Sequence, residues 1–300
     1  MLDLLLDPAF LASVPRFLTP LLLAALGGAI CERAGVFNIG LEGMILTGAF
    51  AAVVGAYFAG SPYVGALSAA IAGLAMGVVF AEFNLRRGGD AIVVSIAINL
   101  LAAGLTTYLL RVIFDVTGTF NSPDIAGFSA VHVPGLAGIP VLGPLLDGQS
   151  PLFYLSLVLV ALAHVFFARH RLGLRIRAAG ENPAALKAGG VNPDRVRLLA
   201  LMMCGALCGL AGAQLSIANV NLFVENMSAG RGWIAIVAVL LTRGRPWPLF
   251  FITLLFGVVD SLSFRVQGLG MPQQFTDMMP YLATLAVLTA ISWWYRKSRT

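Results

Sequence analysis

Apolar side chains follow one another along this chain in long blocks, not in the alternation of a half-buried strand or the one-sided stripe of a surface helix. A bilayer-crossing helix needs about 20 predominantly apolar residues. By that measure nine blocks are spans: residues 11–30, 36–58, 63–83, 91–114, 151–168, 198–220, 232–242, 249–264 and 275–294. The pattern predicts an all-α, polytopic transmembrane helix bundle forming a single domain over residues 1–300. Block 232–242 has about half the usual length and reads as a half-helix; a segment that dips in and returns there makes the count eight or ten.

Two long polar interruptions separate the blocks. In the basic stretch 169–197, the run Ala178 to Gly190 has the punctuation of a short helix: Asn182 as N-cap, Pro183 in the first helical position and Gly189-Gly190 as the stop. Single helices shorter than roughly 12 residues are marginal in water, so this one requires a partner surface. Asn192-Pro193 repeats the starting signal, and Asp194 lies near the positive end of the helix that continues through Arg195 and Arg197. The other interruption, 115–150, contains Pro123, Pro134, Pro140, Pro144, Gly127, Gly135, Gly138 and Gly143, which argue against regular helix. Its Phe120, Ile125, Phe128, Val131 and Leu136 predict that it folds down over one mouth of the bundle, where a partner can meet it.

Composition agrees with a membrane protein: 59% hydrophobic and 11% charged residues, with a mean hydropathy of +0.89, against about 25% charged residues in soluble domains. The net charge of +5 does not point to nucleic acid, because the basic residues sit in short connections between apolar blocks. Arg33, Arg86, Arg87, Arg243, Arg245, Arg296, Lys297 and Arg299 share one side with Arg169, Arg171, Arg175, Arg177, Lys187, Arg195 and Arg197, whereas 115–150 holds Asp115, Asp124 and Asp147 and no Lys or Arg. By the positive-inside rule the N-terminus is out, the C-terminus and 169–197 are cytoplasmic, and 115–150 is extracytoplasmic. Met1 to Phe10, with Asp3 and Asp7, lacks the basic start of a cleaved signal peptide.

Cys31, Cys204 and Cys208 lie in or beside apolar blocks and read as packing residues. Neither they nor His132, His164 and His170 have metal-ligand spacing. The only lysines, Lys187 and Lys297, do not follow Gly, so no phosphate-binding loop is present; His-Glu-x-x-His and Gly-x-Ser-x-Gly are also missing. The expectation is a conduit with no catalytic residues and no metal or cofactor of its own, energised by another subunit.

Polar residues inside the spans are the candidate pathway. Gly35-Val36-Phe37-Asn38-Ile39-Gly40-Leu41-Glu42-Gly43 reads as a broken second helix lining a cavity, with Glu42 on the order of 9 Å in from the start of its span at 1.5 Å per residue. Glu42 is then paired with Arg33, hydrated or protonated. Cargo contact and a buried network that pins the break are both open for it. Asn99 lies deeper and either faces the path or hydrogen-bonds a neighbouring helix; Asp260 reads as facing an internal cavity. Glu225 and Arg231 bracket an outer turn and are expected to pair. Gly65, Ala69, Gly73 and Gly77, like Cys204, Cys208 and Gly212 with Gly205 and Gly209 beside them, mark close helix packing.

Three separated segments resemble one family: Glu32 to Met44, Gly180 to Ala185 with Ala188-Gly189-Gly190-Val191, and Met227-Ser228-Ala229-Gly230-Arg231-Gly232-Trp233-Ile234-Ala235. They are similar to the membrane subunits of bacterial ABC importers in the ribose and branched-chain amino-acid permease superfamily, over about residues 15–290. Asn38-Ile39-Gly40-Leu41-Glu42-Gly43 looks most like the nucleoside branch. The resemblance implies a multi-pass protein of the bacterial inner membrane. Its cytoplasmic coupling helix is drawn from Glu181, Asn182, Pro183, Ala184, Ala185, Lys187 and Gly190 and docks on an ABC ATPase subunit that binds ATP and Mg. The partners implied are a second, non-identical and larger permease, an extracytoplasmic substrate-binding protein and membrane lipid. The cargo implied is a nucleoside or nucleobase, with Phe37, Asn38, Glu42, Asn99 and Asp260 on its path; a pentose or other simple sugar is the rival cargo, and a proton-coupled secondary transporter the rival mechanism. The turn Leu240 to Pro248 departs from the family pattern, so no role is carried over to it.

Overall fold

The computed structural model describes residues 7–133, Gly135, 142–267, Met278, Met279, Leu282, Leu285 and Thr289. The expected span 275–294, the basic tail Arg296 to Arg299, and Pro134, Leu136, Gly138 and Pro140 lie outside the described residues, apart from those five isolated positions. Among the described residues the helices are α1 (Pro8–Arg33), α2 (Leu41–Ala59), α3 (Pro62–Ala81), α4 (Ala91–Phe114), α5 (Leu142–Leu146), α6 (Pro151–Arg169), α7 (Arg171–Glu181), α8 (Pro183–Ala188), α9 (Pro193–Ala213), α10 (Arg231–Thr242) and α11 (Pro246–Gln267). The chain after α3 continues as a π-helical turn through Arg86, and the chain after α9 as another through Val220. Seven of these units are long and apolar enough to cross a membrane, and α10 is a shorter apolar helix.

α1 is the central post. Its Leu21, Leu22, Leu23, Ala24 and Ala25 are fully buried, and α6, α9, α10 and α11 pack around it. α2, α3 and α9 form a second packed group, made possible by the small residues expected to face one another. A Cβ on Gly73 would lie 2.1 Å from the Gly205 carbonyl oxygen, and one on Gly209 would lie 2.1 Å from that of Ala69. Backbone therefore touches backbone along the α3–α9 seam. The outward faces of α4 and α6 expose Val93, Leu100, Tyr108, Val158 and Leu162, as a helix facing lipid or a membrane partner does.

At the end opposite the Arg-rich connections, strand β1 (Thr119–Asn121) pairs antiparallel with β2 (Leu222–Val224), Phe120 opposite Phe223. Phe120 stacks on Phe114 at 3.8 Å, Ile125 is buried, and the Phe128 N–H donates to the Ile217 carbonyl at 3.1 Å. The described part of 115–150 thus folds down onto the bundle.

Two expectations are corrected. Segment 169–197 is not one loop with a single helix; α7 precedes α8, because Arg171–Glu181 is amphipathic and buries Gly173, Ile176 and Ala179. Nor does block 232–242 dip in and return. α10 begins beside Glu42 and ends at a turn where the Gly244 carbonyl accepts from Arg33 Nε at 3.1 Å, so it runs on to the Arg-rich end.

Candidate functional site: the broken helix and the docking hairpin

Gly35, at φ +72°, turns the chain out of α1, and residues 34–40 stay non-helical until Leu41. Unwound backbone inside a bundle must find hydrogen bonds from protein, and α4 supplies them. Ser95 Oγ accepts from the Ile39 N–H at 3.0 Å, Asn99 Oδ1 accepts from the Gly43 N–H at 2.8 Å, and Asn99 Nδ2 donates to the Ile39 carbonyl at 3.1 Å. Asn99 is thus helix glue. Asn38 turns inward: its Oδ1 accepts from the Gly40 N–H at 2.8 Å, while its Nδ2 faces only sulfur, at 3.6 Å from Cys204, 3.9 Å from Met44 and 4.0 Å from Cys31. Sulfur is a weak acceptor, so this donor is poorly satisfied. Phe37 points the other way, 39% exposed, at a cleft it shares with Glu32, Val36, Asn38 and Leu240. The cleft has about 10 Å³ of free space, room for roughly one water.

Glu42 pairs with backbone, not with Arg33. Its two carboxylate oxygens accept from the N–H groups of Gly230 at 2.7 Å and Gly232 at 2.6 Å, at the start of α10. Free N–H groups and the positive end of the helix dipole make that terminus a ready carboxylate site. Arg33 instead reaches Gly244 and lies 5.8 Å above the Phe167 ring. α10 has twelve residues between these two contacts, or about 18 Å of helix. That length separates the Glu42 contact from the Arg33–Gly244 contact, and the unwound chain between Arg33 and Glu42 can span it because extended backbone climbs faster than the 1.5 Å per residue of a helix.

The expected Glu225–Arg231 pair is absent: Glu225 Oε1 accepts from the Gly118 N–H at 2.9 Å, and Arg231 Nη1 donates to the carbonyls of Met227 and Ser228 at 3.4 and 3.3 Å. Asp260 is 9% exposed, and its Oδ1 has no hydrogen-bond partner. It belongs to α11, which packs on α1, α6 and α10, and it lies within electrostatic reach of Arg231 at the start of α10. Phe37, Asn38, Glu42 and Asn99 come together at the break; Asp260 approaches them only through Arg231, which stands between the Gly230 and Gly232 that Glu42 holds.

The α7–α8 hairpin matches its sequence punctuation. Asn182 Oδ1 accepts from the Ala185 N–H at 3.0 Å, Pro183 opens α8, and Gly190 takes φ +79°. No residue of α8 is buried. Pro183, Ala184, Lys187 and Gly190 line an open cleft of about 510 Å³ that reaches Asp194 and Arg197. Glu181, its side chain 68% exposed, lies 3.6 Å from Arg177.

Sequence reasoning missed a polar cleft of about 160 Å³ at the far end, lined by Arg16, Gln149, Ser150, Gln214 and Asn219. Ser150 Oγ donates to Gln214 Oε1 at 2.7 Å, and Gln214 Nε2 donates to Asn219 Oδ1 at 2.9 Å. Both amides lie on the π-helical turn after α9, a geometry frequent at functional sites. Two amides five residues apart in an otherwise apolar block were the available signal.

A polytopic bundle with a broken helix, a half-helix and an exposed, capped hairpin has the architecture of the membrane component of a transport system. The chain belongs to the family described as branched-chain amino acid transport system / permease component, which matches residues 10–288. It is 33% identical over 286 residues to the guanosine ABC transporter permease protein NupQ of Bacillus subtilis, covering 91% of this chain and 88% of that protein. A putative glucose ABC transporter permease of Haloferax volcanii is 33% identical over 295 residues, 90% of this chain and 88% of that protein. The nucleoside ABC transporter permease protein NupC of Lactococcus lactis is 32% identical over 288 residues, 92% and 90%, and that organism's NupB is 25% identical over 273 residues, 87% and 74%. The fold is shared with a solved structure, an inward-facing conformation of a putative metal-chelate type ABC transporter, at a TM-score of 0.51 and 16% identity over 93% of this chain and 85% of that one.

Proposed function

We propose that this chain is the smaller of two non-identical permeases in a bacterial inner-membrane importer of nucleosides, driven by ATP and Mg bound on a separate ABC ATPase subunit. The observation that carries the reading is α8: a helix of six residues, capped by Asn182, that leaves every residue but the half-buried Leu186 exposed, depends on a partner for its stability. The Arg-rich end with α8 is cytoplasmic in this reading, and the 115–150 end receives cargo from a substrate-binding protein. The heteromeric pairing is supported by Lactococcus lactis, where this chain matches both NupC and NupB but covers only 74% of NupB, a longer chain. A nucleoside is neutral and hydrogen-bonding, which suits the amides and hydroxyl of Gln214, Asn219 and Ser150 in the far cleft.

The test is uptake in vesicles holding this permease with its ATPase, its second permease and its binding protein. Labelled guanosine should accumulate only with ATP. A simple sugar is the second reading, favoured by the Haloferax volcanii glucose-type relative at the same 33% identity; accumulation of glucose or ribose without guanosine establishes it. Uptake that survives loss of the ATPase and collapses with a protonophore replaces both with proton coupling.

A further inference from the structure

We propose that Arg197 is the positioning residue that transmits movement of the docking hairpin to the broken segment 34–40 and, through it, to Glu42 and the half-helix α10. The proposal rests on the importer reading. Arg197 stands in the first turns of α9, yet its guanidinium bonds two other elements: Nε donates to the Ala34 carbonyl at 3.3 Å and Nη2 to the Ala179 carbonyl at 3.2 Å. Nη1 lies 3.7 Å from Asp194 on its own helix, which orients the fork, and the side chain is 24% exposed. One planar group therefore joins α7, the end of α1 and α9. A planar fork meets two carbonyls at fixed angles, as a lysine ammonium does not.

Beside this fork α7 rests directly on the same segment. A Cβ at Gly180 would stand 2.4 Å from the Arg33 carbonyl oxygen and 2.9 Å from the Gly35 nitrogen. No side chain cushions the contact, so a shift of α7 is felt by the backbone of residues 33–35. From there the segment reaches α10 at both ends. Arg33 bonds the Gly244 carbonyl at 3.1 Å beyond its C-terminus, and Glu42 holds the Gly230 and Gly232 N–H groups at its start. α8, with no buried residue, has few other attachments through which to pass on a push. Neither Arg197 nor Gly180 has any such role legible from spacing alone, because both partners are backbone groups far away in the chain.

The experiment uses the assembled transporter in lipid vesicles and reads three quantities: co-purification of the ATPase, ATP hydrolysis, and uptake of labelled guanosine per ATP consumed. Arg197→Ala should leave assembly intact and hydrolysis within about twofold of the parent, while guanosine taken up per ATP falls by about tenfold or more, as expected when two charge-assisted bonds are lost. Arg197→Lys should be intermediate. Arg197→Gln, with one neutral NH₂ donor, is read in the same way if the alanine variant fails to assemble. An unchanged ratio in Arg197→Ala overturns the proposal. So does a proportional fall in hydrolysis and uptake, or loss of assembly in all three Arg197 variants, since Arg197 is then a structural brace. A parental complex that shows no ATP-driven uptake overturns the importer reading instead.

Discussion

The Glu42 carboxylate accepts from the Gly232 N–H at 2.6 Å, so the first turn of α2 caps the first turn of α10. α10 has only twelve residues, and its opening N–H groups have no partners within the helix itself. A buried half-helix therefore depends on a side chain 190 positions earlier. Removing both acceptors with Glu42→Ala should destabilise the fold by on the order of 3 kcal/mol, the effect of leaving buried donors without charge-assisted partners. Glu42→Gln should fall between, because its NH₂ group faces an N–H. Thermal unfolding of the detergent-purified protein measures this, and equal midpoints for Glu42→Ala and the parent would refute the cap.

Gly232 is the other half of the same contact. A Cβ there would lie 2.5 Å from the Glu42 nitrogen and 2.6 Å from its Cα. Backbone atoms cannot swing aside as a flexible side-chain tip does, so Gly232→Ala must part α10 from α2, at a cost of about 1–3 kcal/mol. Because both substitutions break one junction, the loss in Glu42→Ala combined with Gly232→Ala should be smaller than the sum of the single losses. Additive losses in a double-mutant cycle would show that the two act separately.

Much of the architecture was legible from residue order. All the blocks that fall on described residues coincide with helices, their ends differing by a few residues, and the signals at Asn182, Pro183 and Gly190 each perform the expected local task. Caps and stops are local chemistry, which a sequence displays. The break after Gly35 was legible too, since two glycines beside Asn38 and Glu42 do not suit a lipid-facing helix. The partners were not. Residue order leaves Glu42 open between a pair with Arg33, water and a proton, and suggests that Glu225 pairs with Arg231, whereas the fold gives all three backbone N–H and carbonyl groups, which every residue possesses and which therefore leave no mark in the sequence. α7 is hidden for another reason: its polar face resembles loop, although Ile176 and Ala179 return at helical spacing.

Asn99 tests whether the break is braced or free. Asn99→Ala leaves the Gly43 N–H and the Ile39 carbonyl without the partners they have at 2.8 and 3.1 Å, a loss of roughly 1–3 kcal/mol. The effect should be local. Hydrogen exchange at residues 39–43 should accelerate while exchange in the α3–α9 seam stays unchanged; uniform acceleration throughout would mean that Asn99 supports the whole bundle.

Asp147 makes the far-end loop sensitive to acid. The Val133 N–H bonds its carboxylate at 2.8 Å and His132 lies 3.2 Å away, so its pKa is held below the usual carboxylate value, chiefly by the backbone donor and then by His132. A carboxyl whose folded pKa is depressed adds stability above its unfolded value and loses it as pH falls through the folded one. Limited proteolysis within residues 131–149 should therefore increase as pH falls below the ordinary Asp range. Asp147→Asn should be cut readily at every pH, without the acid step; a step retained in that variant would assign the sensitivity to another group.

The docking hairpin yields the most direct functional prediction. Asn182→Ala removes the 3.0 Å cap on α8, a change worth about 1 kcal/mol of helix stability. Because α8 buries none of its residues, that loss should appear mainly as weaker association with the ATPase and leave the unfolding midpoint of the permease unchanged. Glu181→Arg reverses an exposed charge next to Arg177, and Gly190→Trp places a large side chain at φ +79°, a conformation that glycine tolerates and tryptophan does not. Both should insert into the membrane normally and both should uncouple ATP hydrolysis from uptake. Parental uptake per ATP in the two variants together would remove α8 from the transport cycle.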